Sequence, residues 1–161
     1  MFYLPQYKEE VDSTLQKEEV LRRLKIVVKH AKRQSQYHYK LEEPEHEIFL
    51  FNGLVSEAGF SISLVIDKPE NFFPIINGSF IENNEGSKIQ LHYSLFKSVK
   101  LFYFFWITLL SAIAIYFLYV SQAWHWVLVS FLIQIASFFV MQSRFRTGVK
   151  KSRKELRRLL L

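Results

Sequence analysis

The sequence predicts a membrane α+β protein: a helix plus a four- or five-stranded antiparallel sheet, then a two-helix transmembrane hairpin and a basic amphipathic C-terminal helix. Three observations lead there. Between Lys100 and Arg144 lie 43 residues without Lys, Arg, Asp or Glu, about twice the roughly 20 apolar residues that one bilayer span needs. Ahead of that stretch, apolar residues recur first at helical spacing and then, in several runs, at every second position. Behind it, eight Lys or Arg and one Glu share residues 144–161.

Residues 1–96 form the predicted cytoplasmic α+β domain. Residues 7–15 are a candidate strand. Residues 17–32 read as a helix, because Val20, Leu24, Val27 and Val28 share one face with Leu21 on its shoulder. Glu18 and Glu19 suit its first turn, and Lys29, Lys32 and Arg33 its last. Glu47–Val55 is β-rich and ends near Gly59. Phe60, Ile62, Leu64 and Ile66 alternate with Ser61, Ser63, Val65 and Asp67. Pro74, Ile76, Gly78 and Phe80 do the same, as do Ile89, Leu91, Tyr93 and Leu95. Asn83-Asn84-Glu85-Gly86 is a turn signal that makes the last two strands a hairpin. The final strand runs almost directly into the uncharged stretch, so the sheet is expected against the inner membrane surface.

Residues 97–143 form the predicted hairpin, with spans near 101–120 and 124–142. Each is about 20 residues, or roughly 30 Å of helix. Ser121-Gln122-Ala123 is too short a link for anything but an antiparallel return. One unbroken helix would be about 65 Å long, twice the hydrocarbon thickness. Lys97 and Lys100 precede the first span, Arg144, Arg146, Lys150 and Lys151 follow the second, and the turn has no basic residue. The positive-inside rule therefore predicts a multi-pass protein of the inner (cytoplasmic) membrane with both termini cytoplasmic. Tyr119, Trp124 and Trp126 are expected at the outer interface, and Phe102, Tyr103 and Trp106 at the inner one. Met1-Phe2-Tyr3-Leu4-Pro5 has no basic n-region, so the first span is expected to serve as the insertion signal.

Polar residues inside the spans define a candidate seam. If the turn centres near Gln122, Ser111 falls near Gln134, Thr108 near Ser137, and Ala114 near Ser130. Ser130, Gln134 and Ser137 lie on one helical face. Small and hydrogen-bonding residues at that spacing suit a membrane helix interface, within the hairpin or between hairpins of a homo-oligomer. The only ionisable residue there is His125, beside the turn, which leaves little for an ion relay.

The tail, residues 144–161, carries Phe145, Val149, Ser152, Leu156, Leu159 and Leu160 at three-to-four spacing. Two placements compete: on anionic lipid, or over the otherwise uncovered apolar face of the sheet.

Charge divides with position. Residues 1–96 hold 11 basic against 14 acidic side chains, whereas residues 97–161 hold 10 against one. The basic balance thus belongs to the flanks of the hairpin, and nucleic-acid binding, which wants a basic stripe on a folded surface, is not expected. There is no cysteine, which excludes disulfides, thiolate metal sites and Cys nucleophiles.

No phosphate-binding loop, dinucleotide glycine pattern, nucleophile elbow or zinc-protease motif is present. His46 lies among Glu42, Glu43, Glu45 and Glu47, but the spacing matches no metal signature and reads as a solvated acidic loop. His92 is expected on the surface or at an edge, and His38 in an aromatic patch. No catalytic, cofactor or metal residue is expected. Phe49, Phe51, Phe60, Phe72, Phe73 and Phe80 read as core, or alternatively as an apolar lipid pocket.

Gly59-Phe60-Ser61-Ile62, then Pro74-Ile75-Ile76-Asn77-Gly78-Ser79-Phe80-Ile81, then Gly86-Ser87-Lys88-Ile89, running into a hydrophobic helix pair, resembles a group of uncharacterised bacterial two-span membrane proteins. In that group a short helix and several strands precede the hairpin and a basic helix follows it. Gly86-Ser87 stands here where Gly-Thr is more usual. The resemblance implies an architecture and carries over no functional residue.

The function expected from these readings is non-enzymatic. The cytoplasmic domain would recognise a protein partner, with Phe2, Tyr3 and Leu4 as candidate contacts, and the hairpin would anchor it in the lipid bilayer or oligomerise. A ligand- or nucleotide-gated membrane-permeabilising effector and a lipid-binding protein are the alternatives.

Overall fold

The structure is a computed structural model and describes residues 4–30, 49–66, 72–83, 86–120 and 122–160. Phe2, Tyr3, His38 and the acidic loop around His46 lie outside the described residues.

Strand β1 (Gln6–Ser13) turns Val11 and Ser13 inward and Lys8, Glu10 and Asp12 outward, as strand alternation requires. Helix α1 (Lys17–Val27) follows, with Glu18 and Glu19 in its first turn and Val20, Leu21 and Leu24 buried. Strands β2 (Val28–His30), β3 (Phe51–Ser56), β4 (Gly59–Leu64), β5 (Pro74–Asn83) and β6 (Gly86–Leu95) complete one sheet in the order β1-β6-β5-β4-β3-β2.

This corrects the expectation of four or five antiparallel strands. The sheet has six strands and is mixed, because β2 pairs parallel with β3 through Val28↔Phe51, Lys29↔Asn52 and His30↔Gly53. The apolar face of α1 continues into Val27 and Val28, so the helix was expected to run to residue 32. The chain instead leaves the helix at Val28 to add an edge strand, a case of tertiary pairing overriding local periodicity. Gly53 stands at φ 154°, and a Cβ there would collide with the backbone oxygen of Ser61. The β5–β6 hairpin forms as expected, from Pro74↔Leu95 to Asn83↔Gly86.

Two long helices follow. A single residue, Phe96, separates β6 from α2 (Lys97–Tyr119), and α3 runs unbroken from Trp124 to Leu160. Both are long and apolar enough to cross a membrane, and only 11% of the most apolar window of each is buried within the molecule. The helix does not break at residue 144, where the second span and the tail were expected to part. Met141, Phe145, Gly148, Val149, Ser152, Leu156 and Leu160 form its buried stripe. That stripe and α1 cover one face of the sheet, packing on Ile62, Ile76, Ile89, Leu91 and Tyr93. Of the two placements open to the tail, the fold takes the sheet. Phe51 and Phe60 fill this core, with Phe72 and Phe80 partly buried against it, and Phe73 is buried as well.

Candidate functional site

Among the described residues, α1 and α3 cover one face of the sheet and no helix lies on the other. Strand alternation places Lys8, Glu10 and Asp12 of β1, Lys88, Gln90 and His92 of β6, Asn77 and Ser79 of β5, and Ser61 of β4 on that open face. The register sets them in rows. Lys8, His92, Asn77 and Ser61 form one, and Glu10, Gln90, Ser79 and Gly59 the next. Lys8, Glu10, Asn77, Ser79, Gln90 and His92 line a shallow groove of about 620 Å³.

Side-chain hydrogen bonds stitch these rows. Gln90 Nε2 donates to Glu10 Oε1 at 3.0 Å, and Ser61 Oγ donates to Asn77 Oδ1 at 2.8 Å. Lys88 Nζ lies 2.6 Å from Glu10 Oε2. Hydrogen bonds from Lys88 and Gln90 hold the Glu10 carboxyl below its usual range, and the bond to Glu10 raises Lys88 in turn. His92 is pushed down by burial first, then by the charges of Lys8 and Lys100. The face therefore has a paired, charged far end and a neutral amide and hydroxyl centre. Its cationic rim lies beside the start of α2. His92 lies on a central strand, not an edge, and its Nε2 is 3.4 Å from Gln6 Oε1.

The covered face holds a second polar cluster that the sequence did not signal. Arg153 of α3 sits 2.6 Å, and Arg157 3.7 Å, from Glu9 Oε2. The close approach is an ion contact without hydrogen-bond alignment. Tyr93 donates to Glu9 Oε1 at 3.0 Å. Burial, followed by the Glu9 charge, pushes the Tyr93 hydroxyl up, so it stays a donor. Ser13 Oγ donates to the carbonyl of Leu160 at 2.6 Å, and Arg23 reaches that of Leu159 at 3.4 Å. These bonds meet carbonyls that a helix C-terminus leaves without intrahelical partners. The cluster fastens α3 to β1.

In the α2–α3 hairpin, Gln134 Nε2 donates to Ser111 Oγ at 3.5 Å, and Ser130 is buried. Thr108 and Ser137 instead bond their own helices, at Phe104 O (2.9 Å) and Ile133 O (2.7 Å). Phe117 stacks on Trp126 near the turn at 5.8 Å. Lys97 and Lys100 open α2, and Arg144, Arg146, Lys150 and Lys151 follow on α3, all at the end of the hairpin that joins the sheet. Tyr103 is buried rather than set outward as an interface residue, and Leu4 is partly buried against the core. Among the described residues, no group of three His, Asp or Glu comes together to hold a metal ion.

No protein-family model, curated protein or solved structure matches the chain.

Proposed function

We propose that the chain is a non-enzymatic, multi-pass protein of the inner (cytoplasmic) membrane whose cytoplasmic domain recognises a protein partner through its open sheet face. The α2–α3 hairpin is the anchor. The observation that carries this is the contrast between the two ends of the molecule. Leu101, Phe102, Phe105, Leu128, Phe131 and Leu132 are each at least 60% exposed. Apolar surface on this scale marks an interaction with membrane or protein, and helices of this length suit lipid. The basic residues gather at the sheet end of the hairpin, which supports cytoplasmic termini. The open face suits a protein better than a small molecule. Its groove is shallow and spread over several strands, whereas small-molecule sites enclose most of their ligand.

The chain has no cysteine, so one engineered thiol is a unique label. A membrane-impermeant maleimide is expected to reach Gln122→Cys in intact cells, and Lys151→Cys only after permeabilisation. The reverse pattern, or equal labelling, removes the proposed orientation. A photoreactive residue at Asn77, on the open face, is expected to form one discrete protein adduct in native membranes. The same probe at Ile26, exposed on α1, is expected to form none. Equal adducts at both positions, or none at Asn77, remove the recognition role.

A second reading, a ligand- or nucleotide-gated membrane-permeabilising effector, draws on the unbroken course of α3 from the loop to the sheet. It expects induced cells to admit a dye that uninduced cells exclude. Exclusion with every nucleotide tried removes it.

A further inference from the structure

Gln134 lies within the second proposed span, and its amide is incompletely paired. A glutamine amide offers two N–H donors and a carbonyl acceptor. Its side-chain hydrogen bond among the described residues is the 3.5 Å contact to Ser111 Oγ, at the long limit of such bonds. In water this would cost little. In hydrocarbon an unmet amide is expensive, because no solvent replaces its partner.

The amide does not face an arbitrary surface. Ser111 and Gln134 form the polar end of an apolar groove of about 400 Å³ on the flank of the hairpin, lined also by Ala114, Ile115, Leu128 and Phe131. Lipid tails can fill the apolar length of such a groove, but they have nothing to offer the amide. A second copy of the chain does. Two copies inserted the same way up are related by an axis along the membrane normal, which sets each residue opposite itself at one depth. An amide is donor and acceptor together, so it complements its own image. Polar side chains bonded across small-residue contacts are the usual means by which membrane helices associate.

We infer that the chain forms a homodimer in the membrane through this groove, with Gln134 of each copy hydrogen-bonded to Gln134 of the other. Phe131 of one hairpin then lies against the groove of its neighbour. The inference rests on the reading of α2 and α3 as membrane spans.

The test uses the full chain in native membranes with one cysteine per variant. Phe131→Cys lies on the groove. Val129→Cys lies on the opposite side of α3. Oxidation is expected to cross-link Phe131→Cys and to leave Val129→Cys monomeric. Adding Gln134→Leu is expected to raise the dimer dissociation constant by about 3- to 20-fold, while Gln134→Asn keeps part of the association. Equal cross-linking at both positions, or none, overturns the dimer. So does an unchanged dissociation constant in Gln134→Leu, or a phospholipid held on a monomer in native mass spectrometry. In those cases the chain still resists alkaline carbonate. Release by carbonate instead overturns the spans themselves, so the two failures are distinguishable.

Discussion

Glu9 and Arg153 meet at 2.6 Å across the covered face of the sheet, so the first strand and the last helix of the chain hold each other in place. The Glu9 side chain is only 6% exposed, and it also accepts the Tyr93 hydroxyl. Glu9→Gln keeps the shape and removes the charge that both partners answer. It is expected to lower stability by about 1–3 kcal/mol, read as a drop in the melting temperature of the detergent-solubilised protein. Glu10→Gln, on the open face beside Lys88, is expected to change it far less, because exposed ion pairs contribute little.

Leu156 is fully buried in the face that α3 lays on the sheet. If the tail is part of the domain core, Leu156→Ala leaves a cavity and costs about 2–5 kcal/mol. If the tail lay on lipid, the same change would weaken membrane binding and leave the sheet intact. Near-ultraviolet circular dichroism and thermal melting separate these outcomes, and loss of tertiary signal is expected.

At Gly148, α3 passes close against the start of β5. A Cβ there would stand 2.5 Å from Pro74 Cδ and 3.3 Å from the Phe73 ring. Alanine normally favours a helix over glycine by about 1 kcal/mol. Here a rigid proline ring cannot yield, and overpacking costs about 1–3 kcal/mol. Gly148→Ala is therefore expected to destabilise despite its helix propensity, and Gly148→Val to do so more strongly, both read by thermal melting.

His92 provides a pH signature. Its pKa is pushed below the ordinary 6.5 by burial and by Lys8 and Lys100. The unfolded chain then binds a proton more readily than the folded one as pH falls from about 6.5 toward the folded value. The stability associated with neutral His92 is complete above about 6.5, and it is lost as pH falls through the folded pKa. His92→Asn is expected to flatten that part of the stability–pH curve. Lys8→Gln is expected to raise the His92 pKa, followed by the imidazole proton resonances.

Much of this architecture is legible in the residues. Phe60-Ser61-Ile62-Ser63 and Ile89-Gln90-Leu91-His92 announce strands because one face is buried and the other is not, and Asn83 to Gly86 announces the hairpin of β5 and β6. The uncharged stretch announces two long helices. What stays hidden is what depends on distant partners. Val28 to His30 are too few to show a strand period, and only β3 beside them makes them one. The onset of charge at Arg144 looks like a boundary, yet no proline or capping motif stops the helix there. Glu9 is one of many surface-type carboxylates in the sequence. Nothing near it foretells Arg153, Arg157 or Tyr93. The open face is partly legible, since alternation names its residues. Which side the helices leave bare is decided only when α3 folds back.

A helix of 37 residues is about 55 Å long, and α3 has no proline along that length. Its one glycine is wedged against Pro74 and Phe73. A rod without a joint cannot absorb a tilt locally. Leaning it by about 10° displaces one end by about 10 Å relative to the other. Whatever reorients the loop end at Trp124 must therefore drag the sheet with it, and whatever grips the sheet must brace the hairpin.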